Sequence, residues 1–146
     1  MTFPRELILL HFSIQTSIME RKIVLTAALF GMLAIVLGAF GAHALKKVLT
    51  LEQLNTFETG VKYQIYHALF LLFIGLSSQV SELAKKRIYY TVVTGVLFFS
   101  GSIYLLATND LTTFNFKVIG FITPIGGLLL IVGWLCLFID FYKKKA

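Results

Sequence analysis

Residues 23–42, IVLTAALFGMLAIVLGAFGA, decide the class of this fold: they are twenty consecutive positions without a charge. As a helix rising about 1.5 Å per residue they reach about 30 Å, the thickness of a bilayer's hydrocarbon core. Arg21-Lys22 stand before the run, and His43, Lys46 and Lys47 follow it. Two readings compete. The run is a membrane helix that stays, or it is the core of a secretory signal peptide with Ala42-His43-Ala44 as a small-x-small cleavage region. Within it Gly31, Ala34, Gly38 and Gly41/Ala42 recur at spacings of three and four, which places them on one helix face. Such a face lets two helix backbones approach closely in lipid, a property without use in a discarded peptide.

Composition points the same way. Of 146 residues, 58% are hydrophobic and 14% charged, with a mean hydropathy of +0.85. Soluble domains carry about 25% charged residues, so this chain cannot cover itself with polar surface in water, though it can in lipid. Thirteen Lys/Arg against seven Asp/Glu give a net charge of +6. The cations sit in short clusters beside apolar runs, the pattern of membrane anchoring rather than of a nucleic-acid surface. Cys136 is the single cysteine and lies inside an apolar run, so there is neither a disulfide framework nor a cysteine metal motif.

Three further apolar runs occupy residues 65–80, with helix extending back to about Val61, then 88–107 and 118–139. Backbone polar groups in lipid must be satisfied within their own segment, and no alternating ten-residue strands suggest a barrel. The expectation is therefore an all-α integral membrane protein with four transmembrane helices, forming one domain over residues 19–146 in the lipid bilayer. Between the first two, Thr50 and Gln53 form a capping box, and Leu51, Leu54, Phe57 and Val61 make an apolar stripe. This predicts a short amphipathic helix between the first and second membrane helices, lying on the outer leaflet and running into the second. Arg5, Arg21, Lys22, Lys85, Lys86, Arg87 and Lys143 to Lys145 fall on one side of the membrane, against Lys46, Lys47, Lys62 and Lys117 on the other. The positive-inside rule then places both termini in the cytoplasm, in the cell (inner) membrane. Tyr63, Tyr66 and Tyr104 fall toward outer helix ends and Tyr89, Tyr90 and Tyr142 toward inner ones, as headgroup-level rings would. Residues 1–18 form an extension without charge cluster or motif, and Met19-Glu20-Arg21-Lys22 before an apolar helix predicts a translation start at Met19.

The ionisable residues near membrane depth are His43, His67 and Glu58, and such residues are by default a functional hypothesis because they are costly there. Tyr63 and His67, four apart, share a helix face. Two histidines could ligate a haem, or with Glu58 a metal ion. Against both stand the absence of a His-x-x-His or carboxylate–histidine pair and of a third histidine at depth, His11 lying in the extension. A cluster of interhelical hydrogen bonds among His43, His67, Tyr63 and Gln64 accounts for the same residues with no cofactor and no metal. Thr123-Pro124-Ile125-Gly126-Gly127 interrupts the fourth run. Either Pro124 kinks a continuous helix, or Thr123 caps a helix that starts at Pro124 and residues 115–122 form a re-entrant approach. Broken helices of the second kind often form transporter sites. No phosphate loop, nucleophile elbow or HExxH motif marks an enzyme.

GAFGAHAL (residues 38–45), FETGVKYQIYHAL (57–69), SGSIY (100–104), TPIGG (123–127) and Gly133-Trp134 occur in that order. Together they resemble the YgdD/YwdK-like family of small bacterial inner-membrane proteins, which has vertebrate relatives, over about residues 19–141. The resemblance implies a four-helix integral membrane protein. It implies no activity and no site residues, since the family has no assigned biochemical function. It also implies that GAFGAHAL belongs to the mature chain. The function expected is that of a non-enzymatic structural or accessory protein acting through helix–helix contacts, self-association or other membrane proteins. The alternatives are a small transporter or channel subunit working as a homo-oligomer and, third, a membrane-bound haem or metal protein. A tag placed before Met19 should accordingly remain on the full-length membrane-embedded protein. A mature chain beginning at Leu45 on an immunoblot or by intact mass would refute this.

Overall fold

The computed structural model describes the backbone of residues 5–144 and the side chains of residues 18–144. Lys145, and the side chains of Arg5 and His11, lie outside the described residues. Four long helices follow one another: α1 (Arg5–His43), α2 (Leu51–Leu76), α3 (Glu82–Ala107) and α4 (Ile122–Lys144). Short 3-10 turns at Leu45–Lys47, Asn109–Leu111 and Phe116–Ile119 complete the connections. Three segments are long and apolar enough to cross a membrane: Ile18–Lys47, Glu82–Ala107 and Phe116–Lys144. The described chain is thus all-helical, as expected, and α1 runs without a break past residue 18. α2 stands apart because Lys62, Gln64 and His67 interrupt its apolar run.

The short amphipathic helix expected between the first two long helices is not a distinct element: its residues are the first turns of α2. The connection holds only the 3-10 turn Leu45–Lys47, and the capping box opens α2 itself. Its two arms are both formed, Thr50 N–H donating to Gln53 Oε1 at 2.9 Å and Gln53 N–H to Thr50 Oγ1 at 3.2 Å. From there the helix continues to Leu76, since nothing in the sequence stops it. Gly60, a weak position mid-helix, is held against α3, where an added Cβ would stand 2.7 Å from the Tyr104 ring. Leu54 and Phe57 are buried beneath Leu45 and Ala107, while Leu51 is exposed.

The helices pack in sequence order, α1 on α2, α2 on α3 and α3 on α4. Small residues mark the closest contacts. The α1 stripe faces α2: a Cβ on Gly38 would lie 3.4 Å from Val61, one on Gly41 3.3 Å from Phe57, and Ala34, one turn before Gly38, is buried. Near the other end Gly75 receives Ile23 and Val24. The α3–α4 contact is tighter still. A Cβ on Gly126 would sit 2.4 Å from the Phe99 backbone nitrogen, so the two helix backbones themselves touch there. Leu130 and Val92 fill the spaces left by Gly95 and Gly133 in the same seam. In lipid, where apolar side chains have no water to escape, this dispersion-dense contact is what holds two helices together.

Pro124 does not kink a longer helix. α4 begins at Ile122, after the Phe116–Ile119 turn, so Pro124 lies in its first turn. Its missing N–H costs nothing there, because the first amides of a helix have no intrahelical acceptor. Thr123 hydrogen-bonds through its hydroxyl to Ser102 on α3 at 2.7 Å, which fixes where α4 starts.

One end of the bundle is locked by charge. Lys85 on α3, almost wholly buried, bonds Glu20 of α1 and lies 3.2 Å from Glu82. Ser81 donates both its N–H, at 3.0 Å, and its hydroxyl to Asp140 of α4, which Lys144 approaches at 3.6 Å. Thr26 and Tyr89 join α1 to α3 one turn deeper, at 3.1 Å. Tyr89 is therefore buried in the bundle, unlike the exposed Tyr90 and Tyr142. Replacing Gly126 with Val should lower the unfolding free energy in detergent by about 1–3 kcal/mol, the usual cost of overpacking. Gly101→Val, with nothing within 4 Å of its Cβ position, should cost far less. Equal losses for the two variants, measured by thermal unfolding, would contradict the backbone contact at Gly126.

Candidate functional site

The candidate residues are polar groups on α2, and the helix period decides which of them face inward. Gln64 and His67 are three apart and both buried, at 5% exposure each. Gln64 donates its amide N–H to the Phe30 carbonyl of α1 at 2.9 Å and accepts the Tyr104 hydroxyl of α3 at 2.9 Å. One side chain thus joins three helices near the middle of the residue 23–42 run. Helix carbonyls have a second lone pair free, so Phe30 takes the extra bond without losing its own helical one.

His67 uses both ring nitrogens. Nδ1 lies 2.8 Å from the Tyr63 carbonyl one turn back, and Nε2 lies 3.4 Å from the indole nitrogen of Trp134 on α4. A carbonyl can only accept and an indole N–H can only donate, so the ring is neutral with its hydrogen on Nδ1. Trp134 in turn stacks on Phe70 with ring centroids 4.0 Å apart. Tyr63, the fourth member, is half-exposed; its ring stacks beside His67 at 6.3 Å and tilts on Phe99 at 4.7 Å. The structure therefore brings Tyr63, Gln64 and His67 into one region and adds Phe30, Tyr104 and Trp134.

His43 and Glu58 are not part of it. His43 ends α1 and is exposed, and Glu58 is exposed with its carboxylate 3.7 Å from Lys62. Among the described residues no three His, Cys, Asp or Glu side chains converge to hold a metal ion. Of the helix-break residues, Thr123, Gly126 and Gly127 lie on the α3–α4 seam and Pro124 is exposed. Thr123 pairs with Ser102, and a Cβ on Gly127 would lie 3.6 Å from the Phe99 ring. Nearby, the buried Ser100 hydroxyl has no hydrogen-bond partner among the described residues.

The Lys85–Glu20–Glu82 cluster and the Ser81–Asp140 pair were not visible as a unit in the sequence. Glu82 and Lys85 at i, i+3 are a readable hint. Nothing local, however, links Glu20 to Lys85 or Ser81 to Asp140, which are 65 and 59 positions apart. Tyr104 was missed for the same reason, its partner Gln64 lying 40 residues away.

Comparison with known proteins agrees with this architecture. The family described as a protein of unknown function (DUF423) matches residues 37–127, which include Gln64, His67, Ser100, Tyr104 and the TPIGG segment. A UPF0382 membrane protein of Staphylococcus saprophyticus is 42% identical over 120 residues, covering 82% of this chain and 96% of its own. One of Haemophilus influenzae is 35% identical over 128 residues, covering 88% and 99%. The UPF0382 inner membrane protein YgdD of Escherichia coli K12 is 32% identical over 129 residues, covering 86% and 93%. No solved structure matches the chain. With one family spanning most of its length and its helices built for lipid, the chain belongs to the DUF423/UPF0382 family of membrane proteins of unknown function.

Proposed function

We propose that this protein is a non-enzymatic, structural or accessory component of the membrane, acting through helix–helix contacts. The observation that carries this reading is the use made of Gln64: both ends of its carboxamide are spent on holding α1, α2 and α3 together. His67 is likewise spent on the Tyr63 carbonyl and Trp134. A site built for chemistry keeps polar groups free to meet a substrate, and here the central ones meet one another. In this reading residues 19–146 form the membrane domain and α2 is the fourth span, its 26 residues giving about 39 Å of helix. The E. coli relative, described as an inner membrane protein, supports the cell (inner) membrane as the location. The basic excess at the Lys85 and Lys143-Lys144 end supports cytoplasmic termini. The exposed apolar faces of α1 and α4 are available to lipid, to a second copy or to another membrane protein.

A second reading, a transporter or channel subunit, draws on the broken approach to α4 and the unpartnered Ser100 hydroxyl. Four helices do not enclose a pathway alone, so it requires a homo-oligomer. A monomeric native mass in detergent would remove it.

Topology is tested by single cysteines in a Cys136→Ala background. Thr56→Cys and Thr113→Cys, both exposed, should react with an impermeant reagent from outside the cell (or spheroplast), and Ser78→Cys should not. Labelling of Ser78→Cys alone would reverse the orientation. For the packing role, Gln64→Leu should lower stability by about 1 kcal/mol, within the range of hydrogen bonds between membrane helices. His67→Gln, which keeps a hydrogen-bonding group, should leave membrane abundance near wild type. Loss of a visible absorbance band or a bound metal on His67→Gln would instead favour a haem or metal protein.

A further inference from the structure

Between the α4 end of the bundle and α2 runs a lateral groove of about 690 Å³, within the range of about 300–1,000 Å³ typical of clefts that hold small ligands. Its walls are Phe73, Trp134, Phe138 and Phe141, and its mouth carries Gln79 and Lys144. We propose that this groove binds one anionic phospholipid of the leaflet on the Lys144 side, its acyl chain against the aromatic walls and its phosphate at the lysine. The proposal rests on α4 lying in the membrane.

Length and charge select this occupant. From Trp134 to Lys144 the helix advances about 15 Å, half of a hydrocarbon core of about 30 Å. The groove therefore has the depth of a single leaflet, which suits an acyl chain; a second copy of the chain packing helix on helix would need a seam through both. At the mouth Lys144 is the basic residue among the lining side chains, its ammonium donating to the Gln79 carbonyl, and the Asp140 carboxylate lies four residues before it. That carboxylate is engaged by the Ser81 N–H and hydroxyl, and Lys144 stands 3.6 Å from it while remaining nearly half exposed. A half-exposed lysine at the mouth of an apolar trough matches a negatively charged headgroup over its tail. At the deep end Trp134 is fixed by its stack on Phe70 and its contact with His67, so the trough is preformed.

Trp134 is the single tryptophan of the chain, which makes the groove directly readable. The full-length protein is reconstituted in phosphatidylcholine vesicles containing a small fraction of lipid brominated midway along one acyl chain, either phosphatidylglycerol or phosphatidylcholine. The brominated anionic lipid should quench Trp134 fluorescence as though enriched about fivefold over its mole fraction, the effect expected of one basic residue near an anionic surface. The brominated phosphatidylcholine should quench in proportion to its mole fraction. Lys144→Gln should bring the two lipids to equal quenching, whereas Lys144→Arg should keep the preference. Equal quenching in the wild type, or a preference that survives Lys144→Gln, would overturn the proposal. Quenching by neither lipid would overturn it in favour of a second copy covering the groove. The cysteine-labelling pattern tests the spans separately, so any of these failures leaves the topology reading standing.

Discussion

Between helices in hydrocarbon there is no hydrophobic drive, because lipid is as apolar as leucine. What remains is contact close enough for dispersion and polar pairs that have no water to compete with them. The helices of this protein meet on those two terms. Gly126 lets α4 rest on the α3 backbone, and Gly38, Gly41 and Gly75 let α1 and α2 close on each other. Elsewhere the exposed leucines, isoleucines and valines of α1 and α4 are left to face lipid.

The polar pairs divide the bundle into levels. At one end Lys85 draws α1 to α3, and Ser81 draws α4 to the α3 N-terminus. Near the middle Gln64 joins α1, α2 and α3, with His67 reaching α4 through Trp134. Toward the other end Thr123 meets Ser102, and the Phe57 and Tyr104 rings pack 4.9 Å apart. Removing one partner from a buried pair leaves the other without water or a substitute, so these pairs penalise any sliding of one helix along another. Small residues permit close approach at many registers; the polar pairs are satisfied at one.

Much of the fold was legible in the sequence, because bilayer thickness turns a run of uncharged residues into a helix of known length. The capping box at Thr50 and Gln53 located the start of a helix at Leu51 correctly, and that helix is α2 itself, continuous to Leu76, with no distinct short helix before it. A capping box marks where a helix begins and carries no information about where it ends. The TPIGG segment favoured a kink over a fresh start, though proline is compatible with both; the structure has the fresh start, at Ile122, with Thr123 inside the first turn rather than capping it and bonded to Ser102 across two helices.

For the site the division is sharper. Sequence alone marked His67 as a costly ionisable residue at membrane depth and grouped Tyr63 and Gln64 with it, because the price of such a group in lipid is a property of each residue by itself. It could not separate them from His43 and Glu58, which the tertiary structure leaves exposed at the surface. Nor could it supply Tyr104, Trp134 and the Phe30 carbonyl as partners, or bury Lys85 between Glu20 and Glu82. Helix existence and span follow from local hydropathy, which any window of residues carries. The pairing of polar groups depends on how each helix is rotated and how far it is slid against its neighbours, and those two quantities exist only once the helices have packed.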